Sequence, residues 1–117
     1  PQLVRVEDIK GDLHIHSSFH IESSHDEGLD SMETIVKQAA QLGYQYLAFT
    51  EHNPSRTGHT SQETIAIIRR KSEYIEQKRG SWIKNLNIYV FNGLEVDIRP
   101  NGSLALPEEA FDFLDFV

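Results

Sequence analysis

The sequence predicts an α/β fold with parallel strands, and three observations lead there. An alternating stretch at residues 13–16 and short, largely apolar runs at 46–50 and 88–91 are interspersed with two longer stretches of helical periodicity. Each helical stretch opens on a capping-box pattern, Asp30-Ser31-Met32-Glu33 and Thr60-Ser61-Gln62-Glu63. No internal repeat, low-complexity tract or linker separates them. Strand, helix and strand in this order imply right-handed βαβ units and one parallel sheet.

Residues 1–10 form a lead-in, alternating apolar and polar side chains only over Leu3-Val4-Arg5-Val6-Glu7. In the first strand Leu13 and Ile15 alternate with His14 and His16, so period-two geometry puts both imidazoles on one side. Residues 17–29 are too polar for a strand and read as a loop. The first helix takes Asp30 as N-cap, buries Met32, Ile35, Val36 and Ala39, and stops at Gly43. Tyr46-Leu47-Ala48-Phe49-Thr50 is nearly continuously apolar, the signature of a strand buried on both faces. Residues 53–59, with Pro54 and Gly58, form another loop. The second helix presents Ile65, Ile68, Ser72 and Ile75 on one face and runs to Gly80, with Arg69, Arg70, Lys71, Glu73, Glu76, Lys78 and Arg79 on a solvated face. A third strand at residues 88–91 continues to Ile98, a turn follows at residues 99–103, Pro107 opens a short helix at its first position, and residues 113–117 begin a further strand. Trp82, Tyr44, Tyr46 and Phe91 read as core or core-edge aromatics.

Composition bounds the function. The 117 residues make one domain at most, enough for a core but short of the ~250 residues of a complete eight-stranded β/α barrel. With 38% hydrophobic and 25% charged residues the chain reads as an ordinary globular sequence. It has no cysteine, which leaves imidazole and oxygen as metal ligands. No apolar run reaches membrane-spanning length and no signal-peptide pattern opens the chain, so the expected location is cytoplasmic. A net charge of -7 argues against a stand-alone nucleic-acid binder, but not against a phosphoesterase whose bound cations reverse the local balance.

Chemistry concentrates at the strand ends. Gly11-Asp12-Leu13-His14-Ile15-His16, Thr50-Glu51-His52 and Gly93-Leu94-Glu95 each place His or Glu at the carboxyl end of a predicted strand, the rim where α/β proteins build their sites. Three imidazoles and a carboxylate suit Zn or Mn, and Fe also. The loop after the first strand adds His20, Glu22, His25, Asp26 and Glu27, although loop histidines such as His20, His25 and His59 are more often simply exposed. Arg56 and His59 lie in a loop on the same rim, where they are candidate contacts to substrate oxygens. Asp97 shares a side with Glu95 and reads as a hydrogen-bond partner of a ligand histidine.

This ordered set of motifs resembles the PHP family, named for polymerase and histidinol phosphatase. Val6-Glu7-Asp8-Ile9-Lys10-Gly11-Asp12-Leu13 and the run 93–107 are similar in particular to the PHP domain of bacterial and archaeal family X DNA polymerases. The resemblance implies the amino-terminal portion of a distorted, PHP-type β/α barrel, whose site holds up to three Zn or Mn ions and hydrolyses phosphoesters. In that branch the activity is 3′-5′ exonuclease and DNA-end processing. Carried over residue by residue, the metal ligands are His14, His16, Asp26, His52 and Glu95, with Glu95 bridging two metals and Glu95 and His52 as the catalytic pair. The family's S-D-G loop is replaced here by His25-Asp26-Glu27-Gly28, so Asp26, Glu27 and His25 compete for the loop position. Its T-D-H appears as Thr50-Glu51-His52, of like charge but different reach. The later family motifs are not in the sequence, and the chain opens at Pro1 without Met. Residues 1–117 are therefore expected to be the first part of a PHP domain, inactive alone, with activity in a full-length parent that acts on DNA ends. Two alternatives are a small-molecule phosphomonoesterase of the histidinol phosphatase type and a non-catalytic scaffold that keeps its metal.

Overall fold

A computed structural model describes all residues, 1–117, as a three-stranded parallel sheet with two helices. Strands β1 (Gly11–Ile15), β2 (Tyr46–Phe49) and β3 (Tyr89–Asn92) lie in the order β1-β2-β3. Helix α1 (Met32–Gln41) connects the first pair and helix α2 (Ser61–Leu86) the second. Short 3-10 turns occupy Val6–Asp8 and Glu108–Phe113. This is a mixed α/β fold with parallel strands, consistent with part of a PHP-type barrel.

Both helices pack on one face of the sheet. Met32, Val36 and Ala39 of α1 and Ile75 and Trp82 of α2 close over Leu47, Phe49 and Val90, with Ile88 just before β3. A second cluster, built from Ile21, Ile67, Ile68, Leu94, Leu106 and Ala110, ties the long loop and the carboxy-terminal segment to α2. The opposite sheet face is uncovered: Leu13, Tyr46, Phe91 and Phe116 line an apolar cleft there. No helix is long and apolar enough to cross a membrane.

Helix α2 departs most from its expected form. It passes through Gly80 to Leu86 and ends at Asn87, whose φ of 53° supplies the left-handed cap. A mid-helix glycine costs about 1 kcal/mol relative to alanine, but Trp82 lies on the same stripe as Ile68 and Ile75 and is buried, which outweighs that cost. The same stripe carries Lys71, fully buried instead of facing solvent. Thr60 caps the helix reciprocally with Glu63, as its sequence predicts.

Other differences are local. Ser31, not Asp30, caps α1 and accepts from the Thr34 amide, while Glu33 turns away to take the Tyr74 hydroxyl and a Lys78 contact at 3.5 Å. That partnership pushes the Tyr74 phenol up to about 12, burial first and Glu33 second. An irregular register between Asp12 and Ile15 sends Leu13 to the uncovered face and Ile15 to the helix-covered core, so the two do not share a side. Pro107 sits one position earlier than expected, as the N-cap of the last 3-10 turn. Of the expected final strand only Phe116 pairs, in a parallel bridge to Gly93.

Candidate metal centre

The sheet carries the site past its own ends. Beyond β2 and β3 the chains stay paired, with His52 bridged to Glu95, the Glu95 amide donating to Glu51 O (3.0 Å) and the Asn53 amide to Glu95 O (2.9 Å). His52 and Glu95 are thereby held side by side, facing the end of β1. There the Nε2 atoms of His14, His16 and His52 lie 2.9, 3.1 and 3.4 Å from one oxygen, Glu95 Oε2. Side-chain exposure rises from 9% at His52 through 17% at His16 to 63% at His14, so the cluster has a closed wall and an open mouth. Burial pushes the Glu95 carboxyl up, but the His14 hydrogen bond and the charges of His52, His14 and His16 outweigh it and hold it below the usual carboxylate range.

The long loop folds over the same wall. Its base is closed by Gly28 N to Ser17 O (3.2 Å) and Ser18 N to Asp30 O (2.7 Å). A Cβ on Gly28 would overlap the His16 carbonyl, so only glycine allows this close return. Asp26, at a left-handed φ of 54°, brings its carboxylate 3.4 Å from His52 Nε2 and its carbonyl 2.7 Å from His16 Nδ1. A carbonyl only accepts, so His16 Nδ1 donates to it and the ring is held with Nε2 turned toward the cluster, the orientation a metal-binding histidine needs. His25 packs its ring on His52 with centroids 4.2 Å apart, and His25, His52 and Asp97 form a second group of potential ligand atoms within 4.8 Å of one another. His52 Nδ1, the ring nitrogen away from Glu95, is buried with no hydrogen-bond partner in the protein.

A PHP domain family model matches residues 12–114, nearly the whole chain. The chain belongs to the PHP domain family. It is also 26% identical, over 119 aligned positions, to the DNA polymerase/3'-5' exonuclease PolX of Bacillus subtilis. That match covers 99% of this chain and 19% of the relative, so the chain spans about a fifth of that protein's length.

Among the site residues expected of a PHP chain, the structure brings His14, His16, His52, Asp26 and Glu95 together and adds His25 and Asp97. Glu27 is exposed and makes no hydrogen bond or ion pair. His20 is also peripheral, 3.8 Å from Glu22. Arg56 borders a cleft shared with Ser24, Asn53 and Asp97, beside the second ligand group. His59 is farther out, its Nδ1 donating to Ser55 O (2.7 Å) and its Nε2 3.8 Å from Glu22. The nitrogen and oxygen donors, and the His16 ring held with Nε2 toward the cluster, fit divalent metal ions, and PHP domains typically bind such ions.

Glu51 has a different role from its neighbours. It is buried, accepts from Ser17 Oγ (2.5 Å) and Ser17 N (3.1 Å), and pairs with Lys71 Nζ at 2.5 Å. Lys71 Nζ also donates to Phe49 O (2.9 Å) and Gly93 O (2.6 Å). One ammonium thus ties the ends of β2 and β3 and, through Glu51, the residue after His16. Burial lowers the Lys71 pKa, and the adjoining Glu51 carboxylate opposes that shift. Sequence reasoning missed Lys71, although its position three residues after Ile68 and four before Ile75 puts it on the apolar stripe.

Proposed function

We propose that the chain is the first part of a metal-dependent phosphoesterase module of the PHP type, acting in a longer parent protein on DNA 3′ ends as a cytoplasmic exonuclease. The observation that carries this reading is the convergence of three imidazole Nε2 atoms on Glu95 Oε2. Its relation to a polymerase/exonuclease of Bacillus subtilis supports DNA as substrate. The uncovered apolar sheet face, with Leu13 50% exposed, supports further strands of the parent packing there.

In this reading His14, His16, His52, Asp26 and Glu95 hold Zn or Mn, with Fe as a further candidate, and His25 and Asp97 extend the site toward as many as three ions. Bound divalent ions supply a near-neutral attacking water and charge stabilisation for in-line displacement at phosphorus. Glu95 offers one carboxylate oxygen to all three imidazoles and so spans the centre. His52, almost fully buried, limits water on the inner wall, and Asp26 orients His16 through its carbonyl. Arg56, on the rim, meets non-bridging oxygens of the substrate.

The test compares a 5′-labelled oligodeoxynucleotide with p-nitrophenyl phosphate as substrates of the parent protein supplied with Mn or Zn. Shortening of the oligonucleotide from its 3′ end, abolished by chelator, is the expected result. Release of phosphate from the monoester with intact oligonucleotide ends would replace this reading with the histidinol phosphatase type.

A further inference from the structure

The chain has six arginines, and two are unlike the rest. Arg5 pairs with Glu7, Arg70 approaches Glu22, Arg79 holds Glu76 and Asp115, and Arg69 stacks over Phe113. Arg56 and Arg99 have neither a carboxylate partner nor an aromatic ring against them, in a protein with 18 acidic residues against 11 basic ones. They line the same cleft, about 240 Å³, with His59, Ser61 and Thr64. No acidic side chain lines it. Arg99 Nε is buried there without an acceptor. Its backbone is fixed by the turn that follows, where the Arg99 amide donates to Ser103 O (2.8 Å) and Gly102 N to Arg99 O (2.8 Å).

Two unpaired guanidiniums around one cavity, with the hydroxyls of Ser61 and Thr64 beside them, match the forked donor geometry that phosphate oxygens require. The position gives the cleft its meaning. Arg56 borders both this cleft and the one containing Asn53 and Asp97, and Asp97 belongs to the ligand group with His25 and His52. A phosphate in the arginine cleft is therefore next along a continuous rim from the metal centre.

We infer that the Arg56–Arg99 cleft is a subsite for a second, non-reacting phosphate of the substrate, so that the centre acts on a polyphosphodiester chain and not on an isolated monoester. The inference rests on the phosphoesterase reading and specifies its substrate. Arg56 bridges the reacting and the non-reacting phosphate, and Arg99 holds the latter. A small phosphomonoester reaches the centre but leaves the cleft empty.

The experiment is fluorescence anisotropy of a fluorescein-labelled single-stranded oligodeoxynucleotide with the metal-loaded protein, its links phosphorothioate to slow cleavage. Wild type, Arg56→Ala/Arg99→Ala and Arg99→Gln are compared, with metal content and thermal midpoint measured on each. Loss of each guanidinium is expected to weaken binding about tenfold. The slope of log affinity against log salt should fall by about 0.7 for each phosphate that is no longer neutralised. Retained metal and midpoint should stay at wild-type values. Wild-type affinity and slope in both variants overturn the subsite, as does loss of metal from either, which would make the arginines supports of the centre. If the double variant does not fold, Arg99→Gln alone decides. Binding is read apart from turnover, so a protein that binds through these arginines but never hydrolyses the diester counts against the proposed reaction and not against the subsite.

Discussion

Lys71→Met lowers the thermal midpoint of the metal-free protein by on the order of 10 °C or more, the largest stability effect expected of any single substitution here. The ammonium is fully buried and satisfies Glu51 and the carbonyls of Phe49 and Gly93. Removing one partner of a buried ion pair leaves the other charge uncompensated, at a cost of about 3–5 kcal/mol. Methionine fills the volume, so the loss reports the electrostatics and not a cavity. Adding Glu51→Gln restores part of the midpoint, because the amide oxygen still accepts from Ser17 while the stranded charge is gone. It does not restore all of it, since Phe49 O and Gly93 O remain without their donor. Calorimetry in chelator, which removes stabilisation by bound ions, makes the measurement. An equal midpoint in wild type and Lys71→Met would show that the strand ends do not depend on this lysine.

Glu95→Gln abolishes metal-dependent hydrolysis by the parent protein, with a loss of at least about a hundredfold, and leaves the metal-free midpoint almost unchanged. The reason lies in the geometry. Glutamine is isosteric, but it removes the single negative charge on which His14, His16 and His52 converge. The Glu95 side chain is partly exposed and its carboxylate meets only the three imidazoles at the rim, so the fold does not need its charge. The pH dependence follows from the direction of its shift. A carboxyl held below its ordinary value of 4.5 is ionised at every pH above that, so Glu95 does not set the acid limb of activity near neutrality. Any stability its charge contributes is fully present above pH 4.5 and is lost as pH falls through the lowered value. Retention of full hydrolysis by Glu95→Gln would remove it from the centre.

The strand-end motifs were legible because they are short and local: a period-two strand places His14 and His16 together, and a parallel sheet places His52 beside Glu95. The capping box at Thr60 was equally readable, since it depends on four consecutive residues. What escaped depends on contacts between distant segments. Helix α2 continues through Gly80 because Trp82 finds the core, an energy that no local propensity contains. Lys71 looked like one more member of a charged face, and only the burial of Glu51 and of two strand-end carbonyls draws it inward. Glu33 left its capping position for Tyr74, 41 residues away. The irregularity in β1 that separates Leu13 from Ile15 likewise has no signal in a strictly alternating sequence. In the site itself, the sequence named Asp26 as the loop ligand with Glu27 and His25 in contention. In the loop that Gly28 closes against the His16 carbonyl, Asp26 and His25 meet His52 while Glu27 stays exposed.

Metal content per chain, measured by plasma mass spectrometry after native purification and exhaustive dialysis, decides whether these side chains form a metal centre. The wild type is expected to retain at least one equivalent of Zn, Mn or Fe. His14→Ala and His16→Ala are each expected to lose about tenfold or more in affinity, and hence in retained metal. Wild-type protein that retains no metal, or variants that retain as much as the wild type, would contradict a metal centre built from these residues.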